Sequence, residues 1–186
     1  MNRKTFRYRL PLYVAVTILS VVSWYFAFNL YHAPKDVETV KLFFAGRVED
    51  YSFAELSANE CRADGVNFVE ISSCHPSDGV FATKYGLVGM SCDVLLVPLS
   101  VANTTKCEGA FKQLAQGAFG ETFEQEGKRY GLFLPEQAQA DLAKFFAFSD
   151  ERYVLFVSAT SPNGGEGCAT DIAVKYVEWM VNYREI

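Results

Sequence analysis

The sequence predicts an α/β protein: an N-terminal transmembrane helix followed by a single three-layer α/β domain with a mostly parallel sheet. Three observations predict it. Residues 10–28, LPLYVAVTILSVVSWYFAF, carry no charge. From residue 40 onward, apolar runs of strand length alternate with helical patterns. The run VLLV at 94–97 has no polar face, which is how a parallel strand covered on both sides reads.

The apolar run is close to the ~20 residues that cross a bilayer core as a helix. Arg3, Lys4, Arg7 and Arg9 precede it without an acid, and mixed charges follow, so the basic end is expected inside. This gives a cytoplasmic tail at 1–9, a transmembrane helix at 10–31, a linker at 32–39 and an extracytoplasmic α/β domain at 40–186, in a single-pass protein of the cell membrane. A cleavable signal peptide is the rival reading, but such peptides have shorter apolar regions ending in an A-x-A-like site. Here the run ends in WYFAFNLYH, which suits an interfacial aromatic belt.

The elements follow in order. VKLFFA at 40–45 is a first strand. Ser52 with Glu55 three residues on matches a capping box and predicts a helix over 53–62. GVNFVEISS is a second strand whose faces are not cleanly divided, and GVFATKYGLVG is helical or irregular. CDVLLVPLS supplies the third strand. Strand, helix, strand, helix, strand in this order argues for a sheet with right-handed crossovers. Residues 110–115 read as a weak helix, ETFEQEGKRYGLFLPE as two β segments around a turn at Glu126 and Gly127, and RYVLFVSA as another buried strand. The last helix has the best periodicity: Ala169, Ile172, Ala173, Tyr176, Val177 and Met180 share one face, with Asp171, Lys175, Glu178 and Asn182 on the other.

Charge and cysteine content exclude several functions. The formal net charge is −5, and the chain beyond the N-terminal basic cluster is more acidic still, so no footprint for nucleic acid is present. Cys61, Cys74, Cys92, Cys107 and Cys168 would allow two disulfides and one leftover thiol in an oxidising compartment, in a pairing that spacing does not fix. No CxxC spacing and only two histidines leave no basis for a metal site, and no cofactor motif is present. Asn103-Thr104-Thr105 matches a glycosylation acceptor, with meaning only in a eukaryotic source.

Three segments, EGKRYGLFLPE, YGLVGMSCDVLLVPLS and GCATDIAVKYVEWMV, resemble recurring stretches of bacterial extracellular solute-binding proteins: a dGk-Yg-lP segment, a helix-to-strand passage and a C-terminal helix. The resemblance touches most of 40–181 and implies a periplasmic-binding-protein-like fold. Only residues 137–152 separate the Tyr130 strand from YVLFV, which leaves no room for a second lobe. No lipid-modifiable cysteine follows the apolar run. What the resemblance implies is therefore a reduced, single-lobe form of the family.

In open α/β sheets ligands sit beyond the carboxyl ends of the strands. That rim comprises AGRVED, SSCHPSDG and PLSVANTT, with Arg47, Ser72, Ser73, His75, Ser100 and Tyr130 as ligand-binding residues. The same SSCHPSDG offers Ser73, Cys74, His75 and Asp78 to an enzyme reading. Nucleophile and base must approach to ~3 Å, which sequence neighbours at a strand end rarely do, and a polar turn is the simpler reading. SPNGGEGCATD lacks the spacing of a phosphate loop and holds Glu166, so it reads as a connection with Thr170 as a helix cap.

The leading expectation is a membrane-anchored extracytoplasmic solute-binding-like domain, without catalysis, acting as sensor, capture module or accessory subunit for a small molecule of unknown class. The alternative is a non-catalytic interaction or scaffolding protein that pairs with another membrane protein. A concave polar rim favours the first and a flat apolar patch the second.

Overall fold

The structure is a computed structural model describing residues 3–32, 35–114, 120–165 and 167–184. The chain divides into two units, Met1–Pro34 and Lys35–Ile186.

The first unit is the helix α1, Arg3–His32. Among the described residues no helix is long and apolar enough to cross a membrane. The transmembrane helix expected at 10–31 is thereby corrected, and with it the single-pass topology and the cell-membrane location. Tyrosines and hydroxyl residues interrupt the aliphatic ones, and Thr17 and Ser20 donate to the carbonyls of Tyr13 and Val16. Absence of charge signalled a helix correctly, but among the described residues it does not amount to a span apolar enough for a membrane.

The second unit contains β1 (Thr39–Phe44), β2 (Arg47–Val48), α2 (Ser52–Glu60), β3 (Phe68–Ser73), α3 (Phe81–Leu87), β4 (Val94–Pro98), α4 (Leu99–Thr104), β5 (Thr122–Gln125), β6 (Lys128–Phe133), α5 (Glu136–Leu142), β7 (Phe146–Ala147), β8 (Tyr153–Val157) and α6 (Ile172–Asn182). Six strands form one sheet in the order β3-β1-β4-β8-β6-β5, and β2 pairs with β7 beside it. The mostly parallel sheet is corrected to a mixed one. Only β3, β1 and β4 run parallel, whereas β8 enters antiparallel beside β4 and the β5–β6 hairpin continues antiparallel. Two-sided burial marks central strands of either direction, so it does not by itself indicate parallel pairing. β4 is indeed buried throughout.

Alternation along the strands builds the three layers. Val40, Leu42, Phe44, Val94, Leu96 and Leu155 point to a core closed by α2, α5 and α6. Phe43, Leu95, Val97, Val154 and Phe156 point to the opposite core, which takes Ala102 of α4 and Phe81 and Tyr85 of α3. Phe44 meets Phe146, Phe148 and Tyr153 in one aromatic cluster.

Local chemistry differs from expectation at two helix starts and one segment. Asp50, not the Ser52 capping box, accepts the Ser52 backbone N–H at 2.8 Å, and that bond holds the Asp50 carboxyl below its usual range. Thr170 does not cap α6, because its hydroxyl donates to Asn163 Oδ1. The helix expected from 110 onward is replaced, over its described part, by a β-bridge between Phe111 and Ser158, while residue 115 lies outside the described residues, as does Glu166. The turn at Glu126 (φ 54°) and Gly127 (φ 75°) is left-handed at both positions, the geometry of a type I′ hairpin.

Candidate functional site

β1, β3 and β4 are parallel and end together, which creates the rim that the sequence indicated. Arg47 is exposed on β2 opposite Ala147. Ser72 and Ser73 close β3, where Ser73 pairs with Phe44. Ser100 lies exposed on α4, its backbone N–H donating to Glu151 Oε2 at 2.9 Å. These four and His75 follow the ends of the parallel strands. Tyr130 is corrected: it is 4% exposed. β6 runs so that Phe133, not Tyr130, lies toward the Tyr153 end of β8. Tyr130 therefore belongs to the core at the other end of the sheet, displaced by the antiparallel insertion of β8.

The 74–78 turn has its own internal bonding. His75 Nδ1 lies 2.7 Å from Ser77 Oγ, while Asp78 Oδ2 accepts the His75 N–H at 3.2 Å and stands 3.8 Å from Cys74 Sγ. The imidazole is engaged with Ser77 and the carboxylate with the turn's backbone. Burial pushes the Cys74 thiol up, against the pull of Lys84. A nucleophile needs the reverse, so this is not the geometry of a catalytic pair. All five cysteines are free, and no disulfide of the kind an oxidising compartment would allow is formed.

A cavity of about 400 Å³ opens on this rim. Leu99, just past β4, donates to Arg152 O, which ties the cavity's last wall to the end of the central strand. Its chemistry comes from Glu136 on α5, Phe148 after β7, and Asp150, Glu151 and Arg152 before β8. Arg152 pairs with Glu121, lies 3.9 Å over the Phe133 ring and is drawn electrostatically to Glu136, so it offsets only part of the charge of the three carboxylates. The Glu121 carboxyl is held below its usual range by that hydrogen bond. With Glu136, Asp150 and Glu151 against Arg152, the cavity carries an excess of negative charge beside the Phe148 ring.

Sequence reasoning reaches the rim but not this wall, because the 137–152 segment reads only as a short connection. The signal available was the cluster of Ser149, Asp150, Glu151 and Arg152 directly before a buried strand. Among the described residues no group of histidine, cysteine and carboxylate side chains is arranged to hold a metal ion. No protein-family description, no curated protein and no solved structure matches the chain.

Proposed function

We propose that residues 35–186 form a non-catalytic small-solute-binding module whose ligand is a small organic cation. The observation that carries this reading is the cavity at the end of β4, lined by Glu136, Asp150, Glu151 and Phe148. Its volume of about 400 Å³ falls in the ~300–1,000 Å³ range of small-molecule sites. Carboxylates next to an aromatic ring suit an ammonium group, through charge and through attraction to the ring face. The segments that resemble solute-binding proteins agree with a ligand at this rim.

The test is a thermal-shift titration of the full chain with choline, polyamines and basic amino acids, using sugars and phosphate as controls. A cation at 100 times its dissociation constant adds ~2.7 kcal/mol of apparent stability. Glu136→Gln with Asp150→Asn is expected to weaken the responding cation about tenfold while leaving the unliganded melt in place. Absence of any cation response, or an equal response in the double variant, refutes the reading.

A specific observation also favours the interaction module. Val80, Leu87 and Val88 stand exposed around α3, Leu87 at 73%. Substituting Leu87 and Val88 with serine would abolish capture of a protein partner while leaving cation response intact, which separates the two readings.

A further inference from the structure

A second arrangement lies at the opposite end of the sheet and does not depend on the solute-binding reading. Lys112 Nζ donates to Cys168 Sγ at 2.9 Å across 56 residues of sequence. Both ends of the contact are fixed by backbone. Lys112 N–H donates to Val157 O at the end of β8, and Ala159 N–H returns to Ala110 O. On the other side, Cys168 N–H donates to Gly165 O in a turn whose Gly165 (φ 92°) and Gly167 (φ 77°) take left-handed backbone that other residues resist.

The turn is itself held from below. Thr170 N–H donates to Pro162 O and its hydroxyl to Asn163 Oδ1, while Asn163 Nδ2 donates to Asp36 O and Thr39 O. The Lys112 stem runs along Gly164, where an added Cβ would stand 2.6 Å from Lys112 Cε. Glycine at 164 thus leaves space for the lysine to reach the sulfur. A cavity of about 430 Å³ lined by Lys112, Gly164, Gly165 and Asp171 opens beside the pair.

The other four thiols are withdrawn. Cys61, Cys74, Cys92 and Cys107 are all 5% exposed or less, whereas Cys168 is half-buried. Oxidation of thiols follows access and a polar, cationic setting. Of the five, Cys168 alone combines access with an ammonium donor in contact.

We propose that Cys168 is the peroxide-reactive thiol of this chain and that Lys112 captures its oxidised sulfur as a nitrogen–sulfur cross-link. The co-reactant is a hydroperoxide. The steps are counted from a thiolate and an ammonium, which carry the same protons as a thiol and an amine. The sulfur attacks one peroxide oxygen, an S–O bond forms and the O–O bond breaks. Sulfur gives two electrons to the peroxide, and the departing hydroxide takes a proton from Lys112 to become water. The sulfenic acid and the neutral amine then condense: an Nζ–Sγ bond forms, the S–O bond breaks and a second water leaves with no further electron transfer. Sulfenic acids condense with nitrogen in this way when one is close. The product closes the 164–170 turn onto residue 112.

The experiment exposes the full chain to hydrogen peroxide, with and without dimedone to trap sulfenic acid, and maps each cysteine by peptide mass spectrometry. The expected result is trapping at Cys168 at least ~10-fold above any other cysteine. Without the trap, a joined pair of peptides carrying Lys112 and Cys168 should appear, lighter by two hydrogen atoms. Lys112→Met should slow trapping ~10-fold, below the ~100-fold of a well-enclosed proton donor because the pair is half-open. Lys112→Arg keeps the cation and the stem beside Gly164, so it should retain trapping and lose the cross-link. Even labelling over the five cysteines overturns the proposal, as does unchanged trapping in Lys112→Met or a joined pair in Lys112→Arg.

Discussion

Asn163 offers the sharpest test of how the fold is held, because it is fully buried in a segment that otherwise reads as a glycine-rich connection. Its side chain makes three hydrogen bonds: to Asp36 O at 2.9 Å, to Thr39 O at 2.9 Å and from Thr170 Oγ1 at 2.8 Å. Ala173 N–H adds a fourth to its backbone carbonyl, which starts α6. Asn163→Ala removes the three side-chain bonds, two of them to carbonyls at the entry of β1, where Asp36 O keeps the Thr39 N–H. At ~1 kcal/mol net for each bond the loss is ~3 kcal/mol. For a domain of this size that corresponds to a fall in Tm of about 6–12 °C. Urea unfolding of the full chain gives the free energy directly, with the midpoint expected to fall at constant slope. Amide exchange of residues 163–171 should accelerate before that of β4. A loss below 1 kcal/mol, or unchanged exchange in this segment, would refute the argument that Asn163 ties the turn to the sheet.

Three further outcomes follow from the packing. Among the described residues Tyr176 Oη is buried without a hydrogen bond of ordinary geometry, its nearest polar neighbour Ser57 being only a weak acceptor there, so Tyr176→Phe should be neutral or stabilising by up to ~1 kcal/mol in the same urea assay. Gly131→Ala would place a Cβ 2.6 Å from Val154 Cγ1 and 3.0 Å from Leu155 O, and should cost about 1–3 kcal/mol; a neutral effect would show that β6 and β8 are less closely paired. Burial pushes the Cys61, Cys92 and Cys107 thiols up to about 12, 11 and 11, above the 9.0 of a solvated thiol. Such groups stabilise the fold fully below pH 9, and the contribution is lost as pH rises through 11 to 12. Tm should therefore be level up to pH 9 and fall above it, more shallowly in Cys61→Ala with Cys92→Ala; identical alkaline slopes would count against thiol burial as the cause.

Much of the second unit was legible because local signals and tertiary demands agreed there. The β5–β6 hairpin was marked by its Glu126-Gly127 turn, α6 by an apolar face that is buried at Ile172, Ala173, Tyr176, Val177 and Met180, and β4 by a run with no polar side. Strand direction was not legible. β8 is as apolar as β4, and nothing within Tyr153–Val157 records which way it runs. Direction is set by the connection through α5 and β7, whose length excludes a second lobe but does not reveal which way the chain returns. The same omission moved Tyr130 to the wrong end and hid the acidic wall. The Asn163 network was invisible for another reason: its partners Asp36 and Thr39 lie 127 and 124 residues away in sequence, and a buried asparagine in a polar loop has no periodic signature.

The antiparallel course of β8 explains why the two ends of the sheet differ chemically. Because β8 starts beside the end of β4, at Tyr153 opposite Pro98, the segment entering it delivers Ser149, Asp150, Glu151 and Arg152 to the rim where the parallel strands finish. Because it ends beside Val94, the segment leaving it delivers Ser161, Asn163 and Cys168 to the rim where those strands begin. There Asp93 accepts both the Lys41 N–H and the Ser161 hydroxyl, so the start of two parallel strands is bound to the loop before α6. A parallel β8 would have exchanged these loops, and Lys112, bonded to Val157 at the end of β8, would have moved with the cysteine. One strand's direction thus decides which rim holds the acidic cavity and which the lysine–cysteine pair, and the strand joining them has every residue buried. Chemistry at either end reaches the other only by shifting a strand locked on both sides, which packed interiors resist.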